Sequence, residues 1–251
     1  MTHSRLTAAA AGTVLTLLDE AVARVPTRRA VADELRTLDY RTLQQRVAAA
    51  ADRLRADGLG RGDRVALALP SSVAFVESFL AILATGAAAM PVPSTARAGE
   101  LRALFAAAGV RALVTAVEDH RNVAAITFSG DTDGLTRIAG AAASGQQRTA
   151  ARTAPAPDDV ALIATSSGTT ARPHLVARTH ANLWWEAQNF SASTAIDSTD
   201  VVLGVVPLSH AHGLGNAFLA ALRAGASLVL RPRFLRRPTL DLLATERVTL
   251  F

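Results

Sequence analysis

Cysteine and lysine are both absent from this 251-residue chain. A chain with no thiol fits a reducing compartment and offers no thiolate ligand to a metal. With no lysine, all 26 basic residues are arginine, so no ammonium group can meet a phosphate. The Walker pattern G-x-x-x-x-G-K-[ST] does not occur, which removes that route to phosphate binding. Long apolar runs are missing too. The longest, Ser78 to Pro93, is short for a bilayer helix and ends in Met90-Pro91-Val92-Pro93. The start, Met1 to Thr7, leads into an Ala-rich stretch broken by Gly12 and Thr13 and then by Asp19 and Glu20, unlike a secretory signal. The expectation is a cytoplasmic protein with no membrane partner.

Nor is there a run of five basic residues. The net charge is +5, but 21 acidic residues are scattered among the arginines. Only Arg231 to Arg237 is dense, and with Pro232 and Phe234 inside it reads as a solvated loop, so nucleic acid is not an expected partner.

What is present is half hydrophobic by residue, enough to bury a core. Helices are expected over Val14 to Arg24 and Thr42 to Asp57, the second closed by Gly58 in a left-handed conformation, with a hairpin over Ala30 to Tyr40 between them. Arg64 to Leu69 reads as a strand, Ser71-Ser72 as the cap of a helix running to about Thr85, and strand, helix, strand recur through Met90, Leu101 to Ala108 and Ala112 to Ala116. This alternation predicts an α/β fold of parallel sheets covered by helices. Residues 141–159 are rich in Ala, Ser, Gln, Thr and Pro and read as a linker between a first α/β subdomain, 1–140, and a second, 160–251. The second has strands over Val160 to Ala164, Val201 to Val206 and Ser227 to Leu230. Its helices run over Leu183 to Ser193, Gly213 to Ala224 and Pro238 to Glu246. Trp184 and Trp185, adjacent on the first of these helices, point about 100° apart, so one ring should be buried and the other half exposed.

One stretch stands out. Ser166-Ser167-Gly168-Thr169-Thr170-Ala171-Arg172-Pro173-His174 follows the apolar run Val160 to Ala164 and precedes the helical segment from Ala181. By composition it is a polar loop, since Ser, Gly and Thr clusters usually are. A Gly-containing bend between a strand and a helix N-terminus also leaves backbone N–H groups pointing outward. Together with the hydroxyls of Ser166, Ser167, Thr169 and Thr170 they would suit the oxygens of a triphosphate, at about 1.5–3 kcal/mol per charged hydrogen bond.

The order of residues adds to this. S-G-T-T-x-x-P followed by Thr179-His180-Ala181-Asn182-Leu183 resembles the signature loop of the AMP-forming adenylating enzymes, the family of acyl-CoA synthetases, aryl-acid ligases and peptide-synthetase adenylation domains. Leu59 to Pro70, Ala87 to Pro93 and Val205-Val206-Pro207-Leu208-Ser209-His210-Ala211-His212-Gly213-Leu214 are similar to further segments of that family, in the same order. The resemblance implies an ATP-dependent ligase that joins a carboxylic acid to AMP and then to a thiol of CoA or a carrier protein, with Mg2+ accompanying the nucleotide. It implies that Ser166, Ser167, Gly168, Thr169, Thr170 and His174 hold phosphate, and that His210 borders the carboxylate. His174 stands where the family has a lysine and Leu175 where it has a glycine; Arg172 and Arg178 are nearby alternative cations. An ordinary imidazole is mostly neutral at pH 7, so nucleotide binding is expected to be weaker than in a typical member.

The resemblance covers the first half of such an enzyme. The segments that would hold magnesium and ribose, the hinge and the C-terminal lysine have no counterpart here. Two readings remain: a catalytic part completed by a second polypeptide or by self-association, or a non-catalytic relative that binds a nucleotide or a partner. Around His210, the pair His210 and His212 has no evident third metal ligand, and burial of both rings is the chief rival to a substrate role. Gly213 and Gly215 would let substrate approach the backbone. Ala211 counts against a hydroxybenzoate, whereas Leu175 to His180 is worded like the hydroxybenzoate ligases, so the acid stays unassigned.

Overall fold

The computed structural model describes residues 11–124, 126–131, 134–140, 153–166 and 174–251. In chain order the elements are α1 (Val14–Arg24), β1 (Arg29–Ala32), β2 (Thr37–Asp39), α2 (Tyr40–Ala56), β3 (Arg64–Ala68), α3 (Val73–Ala84), β4 (Ala88–Pro91), α4 (Ala98–Ala108), β5 (Ala112–Thr115), β6 (Ile126–Asp131) and β7 (Gly134–Gly140). They continue as β8 (Val160–Ser166), β9 (His174–Thr179), α5 (His180–Thr194), β10 (Val201–Gly204), a π-helical segment (Gly213–Leu219) running into α6 (Ala220–Ala224), β11 (Ser227–Leu230) and α7 (Arg236–Thr245).

Two sheets form. The larger has the order β7-β6-β5-β3-β4-β8-β9, parallel through its five inner strands, with one antiparallel strand at each edge. The smaller, β10-β11-β1-β2, is parallel except for β2. Each sheet draws strands from both 1–140 and 160–251, so the segment between them separates stretches of sequence, not sheets. Outside β10, Leu250 bridges Val202 in parallel, and the Leu203 N–H donates to the Leu250 carbonyl at 2.9 Å.

The layers follow from side-chain alternation. In β3, Val65 and Leu67 face a core shared with α1, α2, α3, α5 and α6, whereas Ala66 and Ala68 face Leu101 and Phe105 of α4. All four are fully buried, the mark of a parallel strand covered on both sides. The smaller sheet repeats the pattern: Leu228 and Leu230 join the central core, and Val229 packs on Leu242 of α7. The result is a helix–sheet–helix–sheet–helix stack. The helix α3 is apolar on almost every side because it lies in the middle layer, where Phe75 and Phe79 are fully buried.

Helix ends follow local chemistry. Ser72 caps α3 by accepting the Phe75 N–H at 3.2 Å, and Gly58 beyond α2 has φ 76°, as expected. Trp184 is 8 % exposed and Trp185 37 %. Three expectations need correction. β6, β7 and β9 are strands where none was expected. The strand expected over Val201 to Val206 ends at Gly204, ahead of Pro207. The helix expected from Gly213 begins as a π-helix and becomes α-helical only at Ala220.

Candidate active site

Parallel strands of one sheet end on one side, and here the carboxyl ends of both sheets meet. Between them lies a cleft of about 1150 Å³. Leu69 to Ser71 follow β3 into its wall, Pro93 to Thr95 follow β4, and Thr165 is the last residue but one of β8. From the smaller sheet come Glu34 after β1, Pro207 to His210 after β10, and Arg231 to Arg233 after β11. Loops at strand carboxyl ends are where open α/β sheets take ligands, because there the backbone is freed from the ladder and faces an open crevice.

His210 reaches the cleft through a short, tightly bonded turn. Its N–H donates to the Pro207 carbonyl at 2.9 Å, and its own carbonyl accepts the Leu214 N–H at 3.0 Å. Between them Leu208 is fully buried and donates its N–H to Ser71 Oγ at 2.9 Å. The His210 ring is fixed by the His212 N–H, which donates to Nδ1 at 3.3 Å. A neutral imidazole whose Nδ1 accepts must carry its proton on Nε2, so His210 has a donor to offer. His212 is exposed, its Nδ1 paired at 3.0 Å with Asn216 Nδ2. Neither ring of the pair is buried, against the rival reading, and among the described residues no group of three His, Cys, Asp or Glu stands close enough to hold a metal.

Gly213 and Gly215 do not serve substrate approach as expected. A methyl on Gly213 would run into the Val206 and Pro207 carbonyl oxygens, and one on Gly215 into the Glu186 carboxylate. Both glycines are buried, and Gly213 is required by the backbone packed against it.

Of the expected phosphate loop, Ser167, Gly168, Thr169 and Thr170, with Arg172, fall outside the described residues. Its two ends are described. Ser166 ends β8 and His174 begins β9, directly opposite each other in an antiparallel pair. The element that follows the segment is therefore a strand, β9, and not the helix expected from the sequence. The helix N-terminus comes six residues later, and its amides are engaged: Asn182 N–H donates to Thr179 Oγ1 at 3.2 Å and Asn182 Oδ1 accepts the Thr179 N–H at 3.0 Å. Thr179 and Asn182, read as part of a signature, form a capping box, and His180 between them is buried. His174 is exposed. Arg178 is held by Glu186 at 2.7 Å, so its charge is already compensated.

Thr165, the residue before Ser166, lines the same cleft as His210. The strand that leads into the first motif and the turn that carries the second therefore border one cleft. Sequence reasoning missed Ser71, Thr165 and Arg231. The signal was their place just past an apolar strand. It also read Arg231 to Arg237 as a solvated loop, yet Arg231 and Arg233 line the cleft, with Arg231 bonded to Glu34.

A two-sheet α/β body with an arginine-bearing cleft at its strand ends belongs to the class of open α/β folds that take their ligand at the strand carboxyl ends. Comparison with known proteins names the family: the AMP-binding enzyme family matches residues 18–251, and the chain belongs to it. It is 32 % identical over 213 residues to a feruloyl-CoA synthase of Amycolatopsis, covering 85 % of this chain and 43 % of that protein. It is 31 % identical over 242 residues to a salicyl-AMP ligase / salicyl-S-ArCP synthetase of Mycobacterium tuberculosis, covering 88 % and 42 %. The NpsA N-terminal subdomain of Klebsiella oxytoca, solved in complex with 3-hydroxybenzoyl-AMSN, superposes with a TM-score of 0.80 at 26 % identity, over 99 % of this chain and 61 % of that one. The chain spans less than half the length of these curated relatives and corresponds to their N-terminal part.

Proposed function

We propose that the chain is the N-terminal portion of an ATP-dependent ligase that activates a carboxylic acid as its adenylate and passes the acyl group to a thiol of CoA or a carrier protein. The observation that carries this reading is the meeting of Thr165 and His210 in one cleft. It sets the end of β8, from which the hydroxyl-rich segment continues, in the same cleft as the histidine that the family resemblance assigns to the acid. The names of the relatives, a CoA synthase and an AMP ligase acting on aryl acids, agree with it.

In the reaction, a carboxylate oxygen attacks the α-phosphorus of ATP while the bond to pyrophosphate breaks. A thiol sulfur then attacks the acyl carbon and AMP leaves. Charge builds on oxygens in both steps, so the demand on the protein is for fixed donors. His210 would donate from Nε2 to an oxygen of the acid or adenylate. Ser166, Ser167, Gly168, Thr169 and Thr170 would hold the β- and γ-phosphates, with His174 at the foot of the loop. On that side of the cleft Arg231 is paired with Glu34, and Arg233 would add positive charge. Mg2+ would enter with the nucleotide.

Completion by a second polypeptide or a second copy is part of this reading. The alternative is a non-catalytic relative that binds a nucleotide or a partner, and His174, standing where the family has a lysine, is the residue that speaks for it. Titration calorimetry with Mg·ATP and with a benzoyl sulfamoyl-adenosine tests the site, and His210→Ala should weaken the second ligand more than the first. Equal loss for both, or no binding, would remove the assignment. Pyrophosphate release by the chain alone, across a panel of acids, should be slow; robust turnover would show that nothing essential lies elsewhere.

A further inference from the structure

The bond from the Leu208 N–H to Ser71 Oγ joins two parts of the cleft wall that lie 137 residues apart. Ser71 sits between β3 and α3 and is 6 % exposed; Leu208 is not exposed at all. A backbone N–H buried away from water needs an acceptor, and here a single side-chain oxygen supplies it. Leu208 lies within the turn closed by His210 N–H on the Pro207 carbonyl, and that turn delivers the His210 ring to the cleft. Just beyond that turn the ring's Nδ1 accepts the His212 N–H.

We propose that Ser71 is a positioning residue for His210: its hydroxyl oxygen, acting through the Leu208 amide, keeps the turn in the shape that holds the ring in its Nε2–H form beside the cleft. The consequence for ligand binding rests on the reading given above, that His210 meets an oxygen of the acid or adenylate. The hold on the ring does not. Ser72, the next residue, has a different duty as the cap of α3, and this separates a positioning effect from a general loosening of that helix.

The test uses the full 251-residue chain with 15N-labelled histidine. In the wild type the His210 nitrogens should show Nδ1 unprotonated, and the Leu208 amide should exchange at least a hundredfold more slowly than an open amide. Ser71→Ala should draw the two nitrogen signals toward the average of interchanging tautomers and speed Leu208 exchange at least tenfold. Ser71→Thr, which keeps the oxygen, should restore both, and Ser72→Ala should move neither. Wild-type nitrogens in Ser71→Ala, or an equal shift in Ser72→Ala, overturns the proposal. If Ser71→Ala does not fold, a mixed tautomer or a fast Leu208 amide in the wild type overturns it as well. Benzoyl sulfamoyl-adenosine should bind Ser71→Ala about tenfold more weakly and Ser71→Thr nearly as the wild type. Failure of that probe on the wild type would sink the adenylating reading alone, leaving the nitrogen signals to decide the role of Ser71.

Discussion

Nδ1 of His180 accepts the backbone N–H of Val14 at 3.3 Å, tying the first turn of α5 to the first turn of α1. The ring is 1 % exposed, and burial pushes its pKa down to about 4, against the pull of the nearby Asp159 carboxylate. In the unfolded chain an imidazole titrates near 6.5. Between those values the unfolded state binds the proton that the folded state refuses, so stability falls as pH drops from 6.5 toward 4 and is intact above that window. The loss from this one group should reach about 2 kcal/mol by pH 5. Urea melts at pH 7.5 and pH 5 should show it, and His180→Asn, whose Oδ1 can take the Val14 N–H, should flatten that part of the difference. An undiminished pH dependence in the variant would assign the effect elsewhere.

Glu77 on α3 is buried between two arginines, Arg36 at 2.5 Å and Arg46, which come from the β1–β2 hairpin and from α2. Removing the carboxylate leaves two cations facing each other in a site with little water. Glu77→Ala should cost about 3–5 kcal/mol by denaturant melt, because both guanidinium groups lose the buried carboxylate they share. Arg46→Ala should cost less, since Arg36 still pairs and Arg46 is the more exposed of the two, 32 % against 13 %. A Glu77→Ala loss below that of Arg46→Ala would mean that the carboxylate is not the hub of the three.

Gly213 and Gly99 give opposite expectations for one substitution. A methyl on Gly213 meets the Val206 oxygen at 2.6 Å and the Pro207 carbonyl carbon at 2.9 Å, atoms of the backbone that cannot rotate aside. Gly213→Ala should cost about 1–3 kcal/mol and displace the turn that carries His210. On Gly99, in the first turn of α4, a methyl meets nothing within 4 Å. Gly99→Ala should be neutral or stabilising by about 0.5 kcal/mol, through lower entropy of the unfolded chain. Thermal melts of the two variants decide the matter.

The parts of the fold legible in the sequence were those whose burial writes a period. β3 and β4 are apolar runs because both faces are covered, and Ser72 and Gly58 mark helix ends by their own chemistry. What escaped was governed by contacts distant in sequence. β9 was hidden because His174-Leu175-Val176-Ala177-Arg178-Thr179 lies at a sheet edge, half exposed, with no alternation to betray it. β6 and β7 pair with each other at the opposite edge, and their glycines, Gly130, Gly134 and Gly140, read as breakers. Near the cleft, His210 was singled out by its motif, and it lines the cleft wall. Ser71 was read only as part of a helix cap, because its partner, the Leu208 amide, is more than a hundred residues away.

His174 stands opposite Ser166 at the foot of the expected phosphate loop, exposed, in a chain that has no lysine at all. If the loop holds phosphate, a cation here lies within reach of it, and the choice of cation sets the affinity. A lysine ammonium carries a full positive charge at pH 7.5. His174→Lys should therefore tighten Mg·ATP about fivefold, the equivalent of about 1 kcal/mol for an exposed pairing. The gain should shrink as salt rises from 0.05 to about 0.5 M, because an exposed charge is screened over a few ångströms at that strength. His174→Gln separates charge from hydrogen bonding: it should match the wild type at pH 7.5. Calorimetric titration of the three forms at two salt concentrations reads the outcome. An affinity unchanged or weakened in His174→Lys would place this residue away from the nucleotide and return the loop to a merely polar connection.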